Sequence, residues 1–233
     1  MNRLALSLTV IVSAANAALG QKTTRVPVAD PQAWQNLTYR RIPPNTVDFS
    51  SSGLHLAVRS SASPLIHPLA APMRLKKVIV QLEIIGTLAK PSDPGRWDED
   101  SLFRLGLVVN GDKRLSPFSR ALAPDWVRRL YSLAPKDGGV DRIVFLMMGS
   151  PSATIGARRL HPSSELIEER IAWLDNGAPG LRALEAVLDP PLDVSALWIS
   201  ADGDDTKSAY ALRIKSVEAV HAEDDGSLGK ERR

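Results

Sequence analysis

Apolar and polar residues alternate with a period of two along much of the chain, the pattern of strands that bury one face. In "GLHLAVRS", Leu54, Leu56 and Val58 alternate with His55, Ala57 and Arg59. In "KKVIVQLEIIG", Val78, Val80, Leu82 and Ile84 form one face and Ile79, Gln81, Glu83 and Ile85 the other. "FRLGLVVNG" sets Phe103, Leu105, Leu107 and Val109 against Arg104, Gly106 and Val108, then ends in Asn110-Gly111, a favoured tight-turn pair. "VDRIVFLMMG" reads as a more continuously apolar strand, and "SALWISA" and "AYALRIKSVEAV" complete the set. Leu54, Leu56, Val58, Val80, Leu82, Leu105 and Leu107 are therefore expected in the core of a mostly antiparallel β fold.

Helical periodicity is rarer. Pro124 and Asp125 open "APDWVRRLYSLA", where Trp126 or Val127, Leu130 and Leu133 recur at helical spacing, so a short helix inserted between strands is expected. "SSELIEERIAWLDNG" suits a helix through Ile167, Ile171 and Leu174 and a strand through Ile171 and Trp173. "GLRALEAVLDPP" reads as a helix stopped by Pro190-Pro191. No repeat of 20 to 50 residues is present, which removes support for solenoids and propellers.

Composition adds an address. Arg3, an apolar run from Leu4 to Val12 and Ala15-Asn16-Ala17 have the layout of an export signal cleaved after Ala17. Residues 1–17 are thus read as signal peptide, 18–30 as linker, 31–220 as one domain and 221–233 as a flexible tail. A periplasmic or secreted protein without a membrane-spanning segment is expected. The absence of cysteine excludes disulfides, thiolate metal sites and thiol nucleophiles. A formal charge of +3 on 29 bases and 26 acids is no footprint for nucleic acid.

Chemistry-bearing residues fall in three places. Trp97, Asp98 and Asp100 lie in a Pro/Gly loop, and an aromatic face beside carboxylates suits the rim of a sugar site. The equally physical alternative is a Trp covering a sandwich edge beside solvated acids. Glu83 and Arg104 point away from the apolar stripe and could share a sheet surface with His55 and Arg59, as a structural ion pair or as an acid/base pair. In "LWISADGDDTKSAYALRI", Asp202, Asp204 and Asp205 offer the hard oxygen ligands that Ca²⁺ takes, or form a polar turn between two strands with Gly203. The four histidines are dispersed, and no zincin, nucleophile-elbow, Walker or dinucleotide motif is present.

The last of these stretches also carries a resemblance. Asp202, Asp204, Asp205, Thr206, Ser208, Ala209 and Tyr210 between two apolar strands are similar to the C-terminal segment of the bacterial exported proteins grouped as domain-of-unknown-function family 3047. Lys207 departs from that pattern, which has a Gly there. "SSASPL" (60–65) after an apolar strand and Asp98-Glu99-Asp100 before "SLFRLGLVVNGD" follow in the same order, so the resemblance spans about residues 34–218, and 120–140 looks like an insertion. It implies a jelly-roll β-sandwich similar to galactose-binding-like carbohydrate modules, with no catalytic residues attached. The functional expectation is an exported binding module for a saccharide or another envelope component. The alternatives are a polysaccharide hydrolase or lyase, or a structural partner in an envelope complex.

Overall fold

The structure is a computed structural model that describes residues 21–88, 101–123, 125–134, 138–162 and 164–223. It is an all-β jelly-roll sandwich with two short inserted α-helices. The strands are β1 (Thr23–Arg25), β2 (Gln35–Asn36), β3 (Thr46–Ser50), β4 (Gly53–Arg59), β5 (Ala62–Thr87), β6 (Arg104–Gly111), β7 (Gly139–Gly149), β8 (Arg158–His161), β9 (Ser164–Leu174), β10 (Gly180–Asp202) and β11 (Ala209–His221). The helices α1 (Pro117–Leu122) and α2 (Asp125–Ser132) interrupt the passage from β6 to β7.

One hydrogen-bonded path runs β3-β4-β11-β5-β10-β6-β7-β9-β8, with β1 on β11 and β2 on β5. Two layers arise from it because β5 and β10 are long and pair antiparallel throughout, with register shifts between Val187 and Leu192 and between Val194 and Ala196. Pro190 and Pro191, which have no N–H to give the ladder, sit in the first of these shifts. Residues 75–87 of β5 pair with β11 in the first sheet. Residues 62–68 belong to the second, with β2 and the C-terminal half of β10. All pairings are antiparallel except β7 with β9.

Between the layers lies a core of alternate residues: Leu54, Leu56 and Val58 of β4, Val78, Val80, Leu82 and Ile84 of β5, Leu105 and Leu107 of β6, and Leu197 and Ile199 of β10. The alternation read from the sequence places all seven expected core residues there. A second apolar cluster covers the outer face of the second sheet. There Ile66, Val108, Ile143, Phe145, Met147, Ile171 and Trp198 pack beneath Leu130 of α2, with Trp126 and Tyr131 against them.

Two expectations need correction. "GLRALEAVLDPP" is strand: Leu184, Ala186 and Leu188 are buried while Leu181, Ala183, Glu185 and Val187 are exposed, and β5 supplies their ladder partners. Its Ala- and Leu-rich composition favours helix locally, and pairing overrides that preference. The stretch expected as a linker, 18–30, contains β1 on β11, and Val26 and Val28 are buried in the inter-sheet core. Of the open cases, 164–174 is β9. The helix expected at 124–135 is α2, while α1, capped by Ser116 with Pro117 at its first position, was not foreseen.

Candidate functional site

The expected site residues separate onto different surfaces. Trp97, Asp98 and Asp100 lie outside the described residues. Glu83 and His55 lie on the outer face of the first sheet, where Arg213 is in register with both. Arg213 donates to Glu83 Oε2 at 2.8 Å, and Lys215 approaches the same oxygen at 3.8 Å. That row is a half-exposed ion pair, the structural reading of Glu83. Arg104 is on the opposite side of the sandwich, facing outward from the second sheet.

Arg104 is the centre of the more concentrated polar cluster. It stands opposite Ser200 on β10 and donates through Nη1 to Asp202 Oδ2 at 3.0 Å, with side-chain exposures of 13% and 17%. Tyr39 lies within electrostatic reach of Arg104, Asp202 and Asp204. Burial pushes its phenol up to about 12, against the opposing pull of Arg104, with Asp202 and Asp204 adding to the rise. The phenol is therefore protonated at neutral pH.

The arm that carries Tyr39 is pinned by backbone and amide bonds. Leu37 N donates to Pro64 O and Ala62 N to Pro43 O. Asn45 is 4% exposed; its Nδ2 donates to Ala201 O at 2.8 Å and its Oδ1 accepts from Ser61 Oγ at 2.8 Å. This buried amide ties the arm to the end of β10, at the residue before Asp202, and to the residue before its register partner Ala62.

The floor beside the cluster is aromatic. Trp198 lies opposite Gly106, one step diagonal from Arg104, and meets Phe145 edge to face at 5.9 Å between centroids. Gly106 makes that contact possible: a Cβ there would lie 2.7 Å from Phe145 Cε1 and 2.9 Å from Trp198 Cβ. Trp198 is 2% exposed and its Nε1 has no hydrogen-bond partner; Gln35 Oε1, on the neighbouring β2, is likewise buried without one. Both project from the outer face, because Gln35 is in register with Ile66 and Ile66 with Trp198.

The acidic stretch after β10 is a strand connection. Ser208 N donates to Gly203 O at 2.9 Å and Gly203 N to Ser61 O at 3.2 Å. Gly203 is required by proximity rather than by its backbone angle, since a Cβ would sit 2.9 Å from Val58 Cγ1. The left-handed residue is Lys207, at φ 56, a backbone angle that favours glycine. Its Nζ donates to Asp204 O at 2.8 Å. Tyr210 closes the base of the turn: its hydroxyl accepts from Asp202 N at 3.0 Å and stands 3.1 to 3.2 Å from the carbonyls of Ser101, Leu102 and Asp202. Asp202, Asp204 and Asp205 do not form a metal cluster; among the described residues no group of three or more acids and histidines could hold an ion. A calcium ion would have to compete with the Arg104 guanidinium for Asp202.

Two other polar clusters are satisfied internally. Asp175 is clamped by both Arg182 Nε and Nη2 and also accepts from Gly177 N at 2.7 Å, and the pair lines a shallow depression with Pro151, Leu174 and Asn176. Burial alone would raise Glu168, yet the hydrogen bond and charge of Arg170, with Arg142 and Arg158, outweigh it and hold the carboxyl below its ordinary value. Tyr39, Gln35 and Trp198 were not singled out from the sequence. The available signal was Trp198, an indole out of phase with the buried Leu197 and Ile199.

No protein-family model matches the chain, and no curated protein matches it. Solved structures that it resembles include the xylan-binding module CBM15, at 15% identity over 88% of this chain and 99% of that one, with a TM-score of 0.38. CBM29_1, a family 29 carbohydrate-binding module from Piromyces equi, is 9% identical over 90% and 97%, with a TM-score of 0.37. The exoplasmic/lumenal domain of VIP36 in its Ca²⁺/mannose-bound form is 10% identical over 88% and 92%, with a TM-score of 0.36. Among the described residues no helix is long and apolar enough to cross a membrane. The sandwich architecture described above stands on the chain's own strand order and register.

Proposed function

We propose that this protein is a non-enzymatic saccharide-binding module of the bacterial cell envelope, exported by its first 17 residues. The observation that carries the reading is the half-buried trio Tyr39, Arg104 and Asp202 on the outer face of the second sheet. A sugar presents paired hydroxyls that both donate and accept. A guanidinium, a carboxylate and a phenol in one place can meet them. Binding is favoured over bond cleavage because the carboxylate is already paired with a guanidinium.

The test is affinity electrophoresis of the full chain through a panel of neutral and uronate-containing polysaccharides, followed by titration calorimetry with oligosaccharides of any hit. Retardation by at least one polysaccharide is expected. Tyr39→Phe should weaken it about tenfold, the worth of one hydrogen bond in a partly desolvated site, without lowering the melting temperature. Absence of retardation throughout the panel would refute the proposal, and release of reducing ends or unsaturated products would replace it with polysaccharide cleavage.

A further inference from the structure

The inner face of the second sheet changes character between β7 and β9. β7 lends Val144 and Leu146 to the core between the sheets, and their register partners on β9 are Glu168 and Arg170. One strand further on, β8 places Leu160 opposite Glu168 and Arg158 opposite Arg170. Arg142, opposite Val109 of the core, stands on the same face. Leu160 is 58% exposed and Arg158 is exposed as well, so this end of the face is open to solvent.

Glu168 itself is satisfied there, but the charge around it is out of balance. Arg170 Nε donates to Glu168 Oε1, and Arg142 Nε lies 2.8 Å from Oε2. Arg158 reaches the carboxylate through its charge alone, with no hydrogen bond or salt bridge of its own among the described residues. Asp141, shared between Arg142 and Lys113, is the other acid of the network. Glu169, the next residue, alternates to the outer face and is taken by Arg159. Lys113, Arg142, Arg158 and Arg170 thus stand as four cations against two carboxylates, an excess of two. Like charges directly opposite in an antiparallel pair repel, and Arg158 faces Arg170 in that way.

We infer that Arg158 and Arg170, with Arg142 on the other side of Glu168, form a binding site for a doubly charged oxyanion of the phosphate class. The planar fork of a guanidinium matches the oxygens of such a group. Arg158 offers its whole fork, and Arg170 is engaged only through Nε among the described residues. A dianion is favoured over a carboxylate because it cancels both surplus charges, including the repulsion across β8 and β9. The inference does not depend on the saccharide reading, since Tyr39, Arg104 and Asp202 belong to the outer face of the sheet.

The melting temperature of the full chain would be followed at constant ionic strength in chloride, acetate, inorganic phosphate and glycerol 3-phosphate. A saturable rise of about 2–4 °C is expected in millimolar phosphate and not in chloride or acetate. Arg158→Gln should abolish that rise and leave the melting temperature in chloride unchanged or higher, because it removes the charge facing Arg170. Arg74→Gln, which removes an exposed charge on β5, should keep the rise. No phosphate-dependent rise, an equal rise in acetate or chloride, a rise that survives Arg158→Gln, or one lost equally in Arg74→Gln would overturn the inference. A rise with glycerol 3-phosphate at least equal to that with inorganic phosphate would assign the site to a phosphate carried on a larger ligand, and a rise with inorganic phosphate alone would assign it to the free ion.

Discussion

The outer faces of the two sheets are built to opposite plans. On the first sheet, His55, Arg213 and Glu83 form a cross-strand row that stays partly in water, and the alternation of apolar and polar residues is clean. On the second sheet, Trp198, Phe145, Ile143 and Met147 make the outer face as apolar as the inner one, and it is covered by α2. A sheet with one wet face needs no further cover, while a sheet apolar on both faces demands an additional layer. The insertion after β6 supplies that layer, and the polar trio of Tyr39, Arg104 and Asp202 sits on this second face. The difference sets the single core between the sheets apart from the outer face on which the proposed site lies.

The sharpest way to test that division is at the shared interior. Leu105 is fully buried and faces the first sheet from β6. Leu105→Ala should cost about 2–5 kcal/mol in urea unfolding, the range for a filled core site. A loss below about 0.5 kcal/mol would mean that the inner face of β6 is not packed against the opposite layer.

The outer aromatic floor offers a smaller effect of a different kind. Gly106→Ala inserts a methyl group between Phe145 and Trp198, where contacts of 2.7 and 2.9 Å leave no room. Overpacking should cost about 1–3 kcal/mol, and the near-ultraviolet circular dichroism of the aromatic pair should change with it. An unaltered spectrum with full stability would show that the two rings do not meet across Gly106, and the floor of the proposed site would have to be redrawn.

How much of this was legible follows the same division. The inner faces were readable because burial on one side leaves a period of two, as in Leu54, Leu56 and Val58. The outer face of the second sheet was not, because a run such as Ile143 to Met147 is apolar at every position and erases the period that assigns faces. The polar trio was invisible for a further reason: Tyr39, Arg104 and Asp202 are brought together only by pairing of β6 with β10 and by the pinned arm before β3. Arg104 was selected, but beside Glu83 and His55, since alternation says which residues share a strand face and not which sheet carries the strand. The helix expected at 180–191 failed because alternating Leu184, Ala186 and Leu188 competed with a composition that also suits a helix, and β5 decided the matter.

The acidic turn gives the smallest effect and the finest discrimination between structure and site. Asp202 is committed to Arg104, and the turn is held by main-chain bonds and by Lys207 Nζ on the Asp204 carbonyl, none of which needs the Asp204 carboxylate. Asp204→Asn should therefore change stability by less than about 0.5 kcal/mol, as for a surface substitution away from packed or unsatisfied groups. A Ca²⁺ site would behave otherwise, because losing one carboxylate weakens the ion and with it the stabilisation that binding confers. The measurement is the melting temperature of wild type and Asp204→Asn, each with millimolar Ca²⁺ and with chelator. Four coincident curves are expected. A calcium-dependent rise in the wild type that disappears in the variant would turn this strand connection into a metal site.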